Sequence, residues 1–336
     1  MTAPDALSQK VTSSQVAADI RRTLTARWPA TDDRLDEVSR YALLSPGKLL
    51  RPLMLAASAE AVGGDREAVM PAALAVEYLH AASLVHDDII DGDDTRRGRA
   101  SVHARYSVSD AIVTGDALII KLFGALAECA VPEANILSAV RILARAGEDL
   151  CRGQVQEALL VPPAHDTPGS GLAAYLQVAA LKTGALFRGS CRAGAVLGGG
   201  SPGAVDAVTE FAEHTGLAFQ MYDDLLPFLG DPAVTGKPGT SDVANLRPTF
   251  PVLLAHREGG PAERSRIVQV LAGGLRPDAA LAALREVVVA TGALDLALAQ
   301  AREEVRLAKS GLGVLPVAEA AGLLGAVAEL AVRRDR

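Results

Sequence analysis

The chain has 336 residues, a formal net charge of −7, and a composition that is 49% hydrophobic but only 4% aromatic. So mild an acidity exerts no general pull on nucleic acid or anionic lipid, which excludes those as expected partners. The length suits two domains or one large one. Residues Met1 to Asp19 lack the basic-then-apolar order of a signal peptide. No apolar run reaches spanning length, so a cytoplasmic protein with no integral membrane segment is expected. Cys129, Cys151 and Cys191 are odd in number, widely spaced and set in apolar helical surroundings. They read as reduced core residues rather than a disulfide or zinc set.

Apolar residues recur at three and four spacing with breakers between. In chain order this predicts helices over Ser14–Trp28, Leu35–Leu44, Arg51–Val62, Val69–Ile90, Val108–Cys129, Glu133–Leu160, Gly171–Gly198 and Ala204–Phe228. Further helices follow over Thr249–Arg257, Arg264–Gly273, Pro277–Thr291, Ala293–Ser310 and Pro316–Arg333. Almost nothing reads as strand. Several helices are apolar on more than one face, which predicts an all-α fold of helices buried in a large bundle. Leu229 to Pro248 is an extended irregular stretch of the kind that is usually functional or disordered. Glu258 to Glu263 reads as a turn, and with no convincing linker the expectation is a single domain over 1–336.

Polar residues interrupt this apolar background in a few dense clusters. Pro46-Gly47-Lys48-Leu49-Leu50-Arg51-Pro52 places Lys48 and Arg51 on adjacent turns, and such a pair is either a phosphate contact or solvated surface charge. An apolar helical stretch, Leu74 to Val85, runs into Asp87-Asp88-Ile89-Ile90-Asp91 and then Asp93-Asp94-Thr95-Arg96-Arg97-Gly98. Asp87 and Asp91, four apart, share a helix face and can hold metal jointly; bare, they would repel. Mg²⁺ favours oxygen ligands, takes one or two carboxylates, and fills its shell with water and substrate phosphates. His80 lies two turns before Asp87 on nearly the same face, where a lone histidine would ordinarily be a satisfied core residue. Lys182-Thr183-Gly184 puts an ammonium in an apolar helix, where it needs a partner if buried. Gln220, Asp223 and Asp224 share about one turn. Pro227 just beyond them should kink or stop the helix. Gly236-Lys237-Pro238 in the long loop could close over a substrate or be a surface turn.

Together these residues strongly resemble the trans-type isoprenyl diphosphate synthases. The pieces arrive in family order from Gly47 to about Leu254: GKLLRP, EYLHAASLVHDDIIDGDDTRRG, GDAL, GQ at Gly153 and Gln154, KTG, FQMYDDLL and GKP. The resemblance implies an all-α bundle around a deep central cavity, usually a homodimer, with three Mg²⁺ ions bridging the two aspartate motifs. It implies head-to-tail condensation of isopentenyl diphosphate with an allylic diphosphate. By that likeness Asp87, Asp88, Asp91 and Asp223 supply the metal ligands, and Arg96, Lys182 and Lys237 contact the allylic diphosphate. Thr183 and Gln220 lie beside the developing cation, and Lys48, Arg51, His80 and Arg97 hold isopentenyl diphosphate.

Two positions and one segment depart from the family pattern: Leu49 stands where Arg is common, Pro227 where a further Asp is common, and Asn245 to Thr249 replace a Gly-Lys-x-Thr segment with Arg247 keeping the charge. Ala82 and Ser83, about one helical turn before Asp87, are small, so no aromatic floor closes the cavity there. Phe123 on a neighbouring helix could close it lower. The expected product is geranylgeranyl diphosphate, C20. A terpene cyclase on the same fold and a non-catalytic regulatory subunit are the alternatives. The retained isopentenyl residues argue against the first, and the complete first aspartate motif against the second.

Overall fold

Apolar faces and short breakers fold here into helices joined by brief turns, and the computed structural model describes residues 6–160, 162–229 and 245–333. The early helices are α1 (Ala6–Thr12), α2 (Gln15–Arg27), α3 (Arg34–Leu43), α4 (Leu50–Ala61) and α5 (Met70–Asp91). A hairpin of β1 (Thr95–Arg96) and β2 (Arg99–Ala100) leads to α6 (Val102–Arg105), α7 (Val108–Ala127) and α8 (Glu133–Ala158). Then come α9 (Leu172–Ala179), a π-turn (Ala180–Gly184), α10 (Ala185–Leu197) and α11 (Pro202–Leu229). The remaining helices are α12 (Phe250–Glu258), α13 (Pro261–Leu271), α14 (Pro277–Ala290), α15 (Ala293–Ser310) and α16 (Ala318–Ala331). The architecture is all-α, and no helix among the described residues is long and apolar enough to cross a membrane.

Two compact units are present. The first comprises Met1–Gly147, Leu186–Glu210 and Gly311–Val327. Its centre is α5, which packs against α3, α4 and α7. From Met70 to Val85 the helix is almost wholly buried, because alanines alternate with leucines and valines all round it. Pro71 at its first turn needs no hydrogen bond there, and Gly92 in the left-handed conformation ends it. Trp28 meets Tyr78 edge-on, with ring centroids 5.9 Å apart. The second unit comprises Glu148–Ala185, Phe211–Ser310 and Ala328–Arg336. Its core gathers Leu225, Phe228, Phe250, Leu253, Ile267, Leu284 and Val288. Tyr175 stacks on Phe250 at 5.7 Å.

Several local expectations are revised. The helix predicted over Gly171–Gly198 is interrupted at Ala180–Gly184, where the backbone widens to a π-turn. Helix α13 begins at Pro261, not Arg264, because proline is suited to a first helical position. Helix α11 runs past Pro227 to Leu229, the last described residue of that stretch. Proline there removes one ladder bond, and its own carbonyl accepts from Arg285. Cys129 and Cys191 are buried free thiols as expected, whereas Cys151 is exposed on α8. The hairpin is the sheet among the described residues, with Thr95 opposite Ala100 and Arg96 opposite Arg99. Its two turn residues, Arg97 and Gly98, have φ of 53° and 74°, as a type I′ turn requires.

Candidate active site

In the first unit, the buried length of α5 delivers its acids to the helix end. Asp87 and Asp91 are half-buried. Asp88 is only 2% exposed and accepts a hydrogen bond from Nε of Arg96. Burial raises the Asp88 carboxyl while Arg96 pulls it down. The three predicted acids are thus not equivalent: Asp88 is engaged by Arg96, and Asp87 and Asp91 stand on the more open face.

The predicted basic group also gathers in this unit. Arg51, in the first turn of α4, lies over the Phe187 ring at 4.6 Å and donates to Nε2 of His80 at 3.1 Å. Arginine only donates, so Nε2 must carry the lone pair. Burial, reinforced by Arg51, Arg97 and Arg96, holds His80 well below its ordinary value of 6.5, so the ring is neutral. The Arg97 guanidinium rests on Gly47, where a Cβ would come within 2.5 Å of its terminal nitrogen. A side chain there would push the guanidinium aside. Lys48 is half-buried in the same loop. A small cavity of about 30 Å³ beneath them is lined in part by Glu77, Asp88, Arg96 and Arg97.

The chain-length candidates sit on α5. Ala82 is fully buried, and the Ser83 hydroxyl donates to the His80 carbonyl at 2.8 Å. Phe123 on α7 is 47% exposed.

In the second unit, Lys182 and Thr183 occupy the π-turn. Gly153 of α8 lies so close that a Cβ there would be 2.4 Å from the Lys182 backbone nitrogen. Nζ of Lys182 meets Glu157 at 2.6 Å, and Arg247 reaches the same carboxylate oxygen at 3.4 Å. Thr183 Oγ1 donates to Gln220 Oε1 at 2.6 Å, and Gln220 Nε2 donates to Asp224 Oδ1 at 2.8 Å. The other oxygen of Asp224 accepts from the Phe250 backbone N–H at 3.0 Å, at the start of α12. A carboxylate can only accept, so the Gln220 amide cannot flip and the Thr183 hydroxyl must be the donor. Asp224 is 6% exposed and structural, whereas Asp223 is exposed. Lys237 lies outside the described residues.

Two residues of this chemistry, Glu77 and Glu157, were not singled out from sequence, and Asp224 was named beside Gln220 without its link to the start of α12. Glu157 follows Gly153 by one helical turn, and Glu77 is a lone acid in an apolar helix. Each was a weak but available signal. Among the described residues no three of His, Cys, Asp or Glu gather closely enough to enclose a metal. The oxygen donors therefore fit a hard cation shared with ligand phosphates rather than a protein cage.

With this geometry in view, the comparisons are specific. The polyprenyl synthetase family model matches residues 32–288. A short chain isoprenyl diphosphate synthase of Methanothermobacter thermautotrophicus is 32% identical over 91% of this chain and 92% of its own. A geranylgeranyl diphosphate synthase of Methanosarcina mazei is 35% identical over 77% of each chain. The crystal structure of geranylgeranyl pyrophosphate synthetase from Pyrococcus horikoshii superposes with a TM-score of 0.86 at 29% identity, covering 98% of both chains. Other relatives are named farnesyl, geranylfarnesyl and octaprenyl diphosphate synthases. The fold and the ordered motifs define an enzyme of the prenyltransferase class. More narrowly, the chain belongs to the polyprenyl synthetase family, the trans-type isoprenyl diphosphate synthases.

Proposed function

We propose that this chain is a Mg²⁺-dependent synthase that condenses isopentenyl diphosphate head-to-tail with an allylic diphosphate, with geranylgeranyl diphosphate as its main product. The observation that carries the reading is the basic cluster of Lys48, Arg51 and Arg97 with neutral His80, built beside an intact first aspartate motif. A cyclase, which needs one diphosphate, has no use for that second anion site. The matched region of the family model extends through both units, which supports a single synthase domain.

Arg96, fixed by Asp88, acts with Lys182 and Lys237 on the allylic diphosphate. Three Mg²⁺ ions, held by Asp87, Asp91 and Asp223 with water and phosphate oxygens, would supply Lewis-acid stabilisation of the leaving diphosphate. Ionisation leaves an allylic cation. Because the Thr183 proton is committed to Gln220, the hydroxyl presents lone pairs to that cation, a preorganised dipole rather than a base. Arg51, Arg97, Lys48 and His80 hold the second diphosphate and aim its double bond at the cation. Departing pyrophosphate takes the final proton, so no side-chain base is required.

Small residues at Ala82 and Ser83 favour C20 over shorter products. The exposed apolar residues Ile112, Val113, Ile120 and Phe123 on α7 support a homodimer through that helix. A cytoplasmic location fits substrates that are themselves charged metabolites. Incubation with Mg²⁺, isopentenyl diphosphate and dimethylallyl, geranyl or farnesyl diphosphate tests the proposal, with dephosphorylated products identified by mass spectrometry. A C20 alcohol is expected. Hydrocarbon formed from an allylic diphosphate alone would mean a cyclase, and no turnover with any primer would mean a regulatory subunit.

A further inference from the structure

Glu77 has no place in the reaction as described, and its environment is expensive. It is 4% exposed, and its Oε2 has no hydrogen-bond partner. Buried polar atoms left unpaired are uncommon and costly. Burial pushes its carboxyl up to about 7, against the downward pull of Arg97 and Arg51.

The charges around it define what it can do. Arg51 approaches from α4, Arg96 and Arg97 from the hairpin, and Lys48 lies in the loop beside Gly47. On its own helix, His80 is neutral and Asp88 is engaged by Arg96. Tyr41, Ser45 and Ser101 complete the polar part of the cavity wall. Glu77 is thus the buried carboxylate that both Arg51 and Arg97 feel. Their like charges repel, and long side chains left to rotate must be ordered when a ligand binds.

We propose that Glu77 is a positioning residue of the isopentenyl diphosphate subsite, the buried counter-charge that keeps Arg51 and Arg97 gathered while the subsite is empty and takes up a proton when a diphosphate replaces it. The proposal rests on the synthase reading for the identity of the ligand. The proton comes from solvent, and no bond to the ligand is made. Proton uptake removes the repulsion that a permanent carboxylate would exert on the incoming anion. An apolar residue at position 77 would give neither effect.

The test compares wild type with Glu77→Gln, which keeps the side-chain shape and removes the charge, and with Glu77→Asp. Calorimetric titrations of isopentenyl diphosphate and of inorganic pyrophosphate at pH 8, in two buffers of different ionisation enthalpy, report protons taken up on binding. Wild type should take up about one proton more than Glu77→Gln. The KM for isopentenyl diphosphate should rise about tenfold in Glu77→Gln, with kcat and the KM for the allylic substrate within about twofold, as expected when one or two long side chains must be ordered by the ligand. Glu77→Asp should restore part of both effects. Equal proton uptake in wild type and Glu77→Gln, or failure of wild type to bind either diphosphate, would overturn the role of Glu77. Absence of turnover in wild type would instead overturn the synthase reading, and the binding arms would still decide on Glu77. Thermal unfolding of each variant confirms that it is folded.

Discussion

Replacing Asp224 by asparagine changes one oxygen to an amide nitrogen in a buried side chain, and the consequences can be followed atom by atom. Asp224 accepts from Gln220 at 2.8 Å and from the Phe250 N–H at 3.0 Å. The new amide has one acceptor, which the fixed N–H at the start of α12 will claim. Its NH₂ then faces the NH₂ of Gln220, so Gln220 must flip and accept. The flipped amide donates to Thr183, whose hydroxyl can no longer donate to it and must turn its proton outward. Every hydrogen bond is retained, but two lose their ionic acceptor, so stability should fall by only about 1–2 kcal/mol. The dipole offered to the developing cation is reversed, and kcat should fall on the order of a hundredfold, with both KM values within about threefold. Asp224→Ala leaves both donors buried and unpaired and should cost at least about 3 kcal/mol. Urea unfolding and steady-state kinetics measure these quantities. A kcat for Asp224→Asn within threefold of wild type, or an Asp224→Ala variant as stable as wild type, would refute the assigned network.

Ser83→Phe should place a ring about one turn before Asp87 and shift the product from C20 towards C15, read by mass spectrometry of the alcohols; an unchanged product distribution removes the proposed floor. Glu157→Gln should loosen Lys182 and Arg247 and raise the KM for the allylic substrate about tenfold without changing that for isopentenyl diphosphate. A lower allylic KM would show that the carboxylate merely repels the substrate. Stability should also respond to pH through two buried groups of opposite sign. Glu77 is raised on folding from 4.5 to about 7. Its stabilising proton is therefore held below pH 4.5 and lost as pH rises through about 7, a swing of roughly 3 kcal/mol that Glu77→Gln should abolish in melting curves between pH 5 and 8. His80 is depressed, so its contribution is present above 6.5 and lost as pH falls below that value. A Glu77→Gln variant that keeps the wild-type loss of stability between pH 5 and 8 would show that Glu77 is not its source.

The helical period carried most of the fold because the core is made of alanine and leucine stripes, and helices such as α5 announce both their buried length and their acidic end. What periodicity could not show was the π-turn at Ala180–Gly184, since one extra residue in a turn leaves the apolar spacing nearly intact. The hairpin was equally hidden, because Arg-Gly is a weak signal for a type I′ turn beside the usual Asn-Gly. Two pairs named by short motifs do come together: Arg51 meets His80, and Thr183 bonds to Gln220. The partners of Glu157 and Asp224 were not legible, because they lie 25 and 26 positions away, at Lys182 and Phe250. Cys151 was misread because an apolar neighbourhood in sequence does not fix which face of α8 a residue occupies.

The backbone itself is least regular where cations are needed. Among the described residues, the non-glycine positions with positive φ are Leu49, Arg97 and Leu246. Leu49 separates Lys48 from Arg51, Arg97 is itself an anion-site candidate, and Leu246 precedes Arg247. Each left-handed residue costs about 1–2 kcal/mol relative to its relaxed form. Lys182 adds a π-turn to the same pattern. Regular helices would spread consecutive side chains around an axis and separate such charges by whole turns. A left-handed step redirects the chain within one residue, which can bring neighbouring cations to one side without a long loop. The strain is tolerable because the apolar cores of both units are dense and regular, and its placement beside five basic residues is what the proposed diphosphate sites would require.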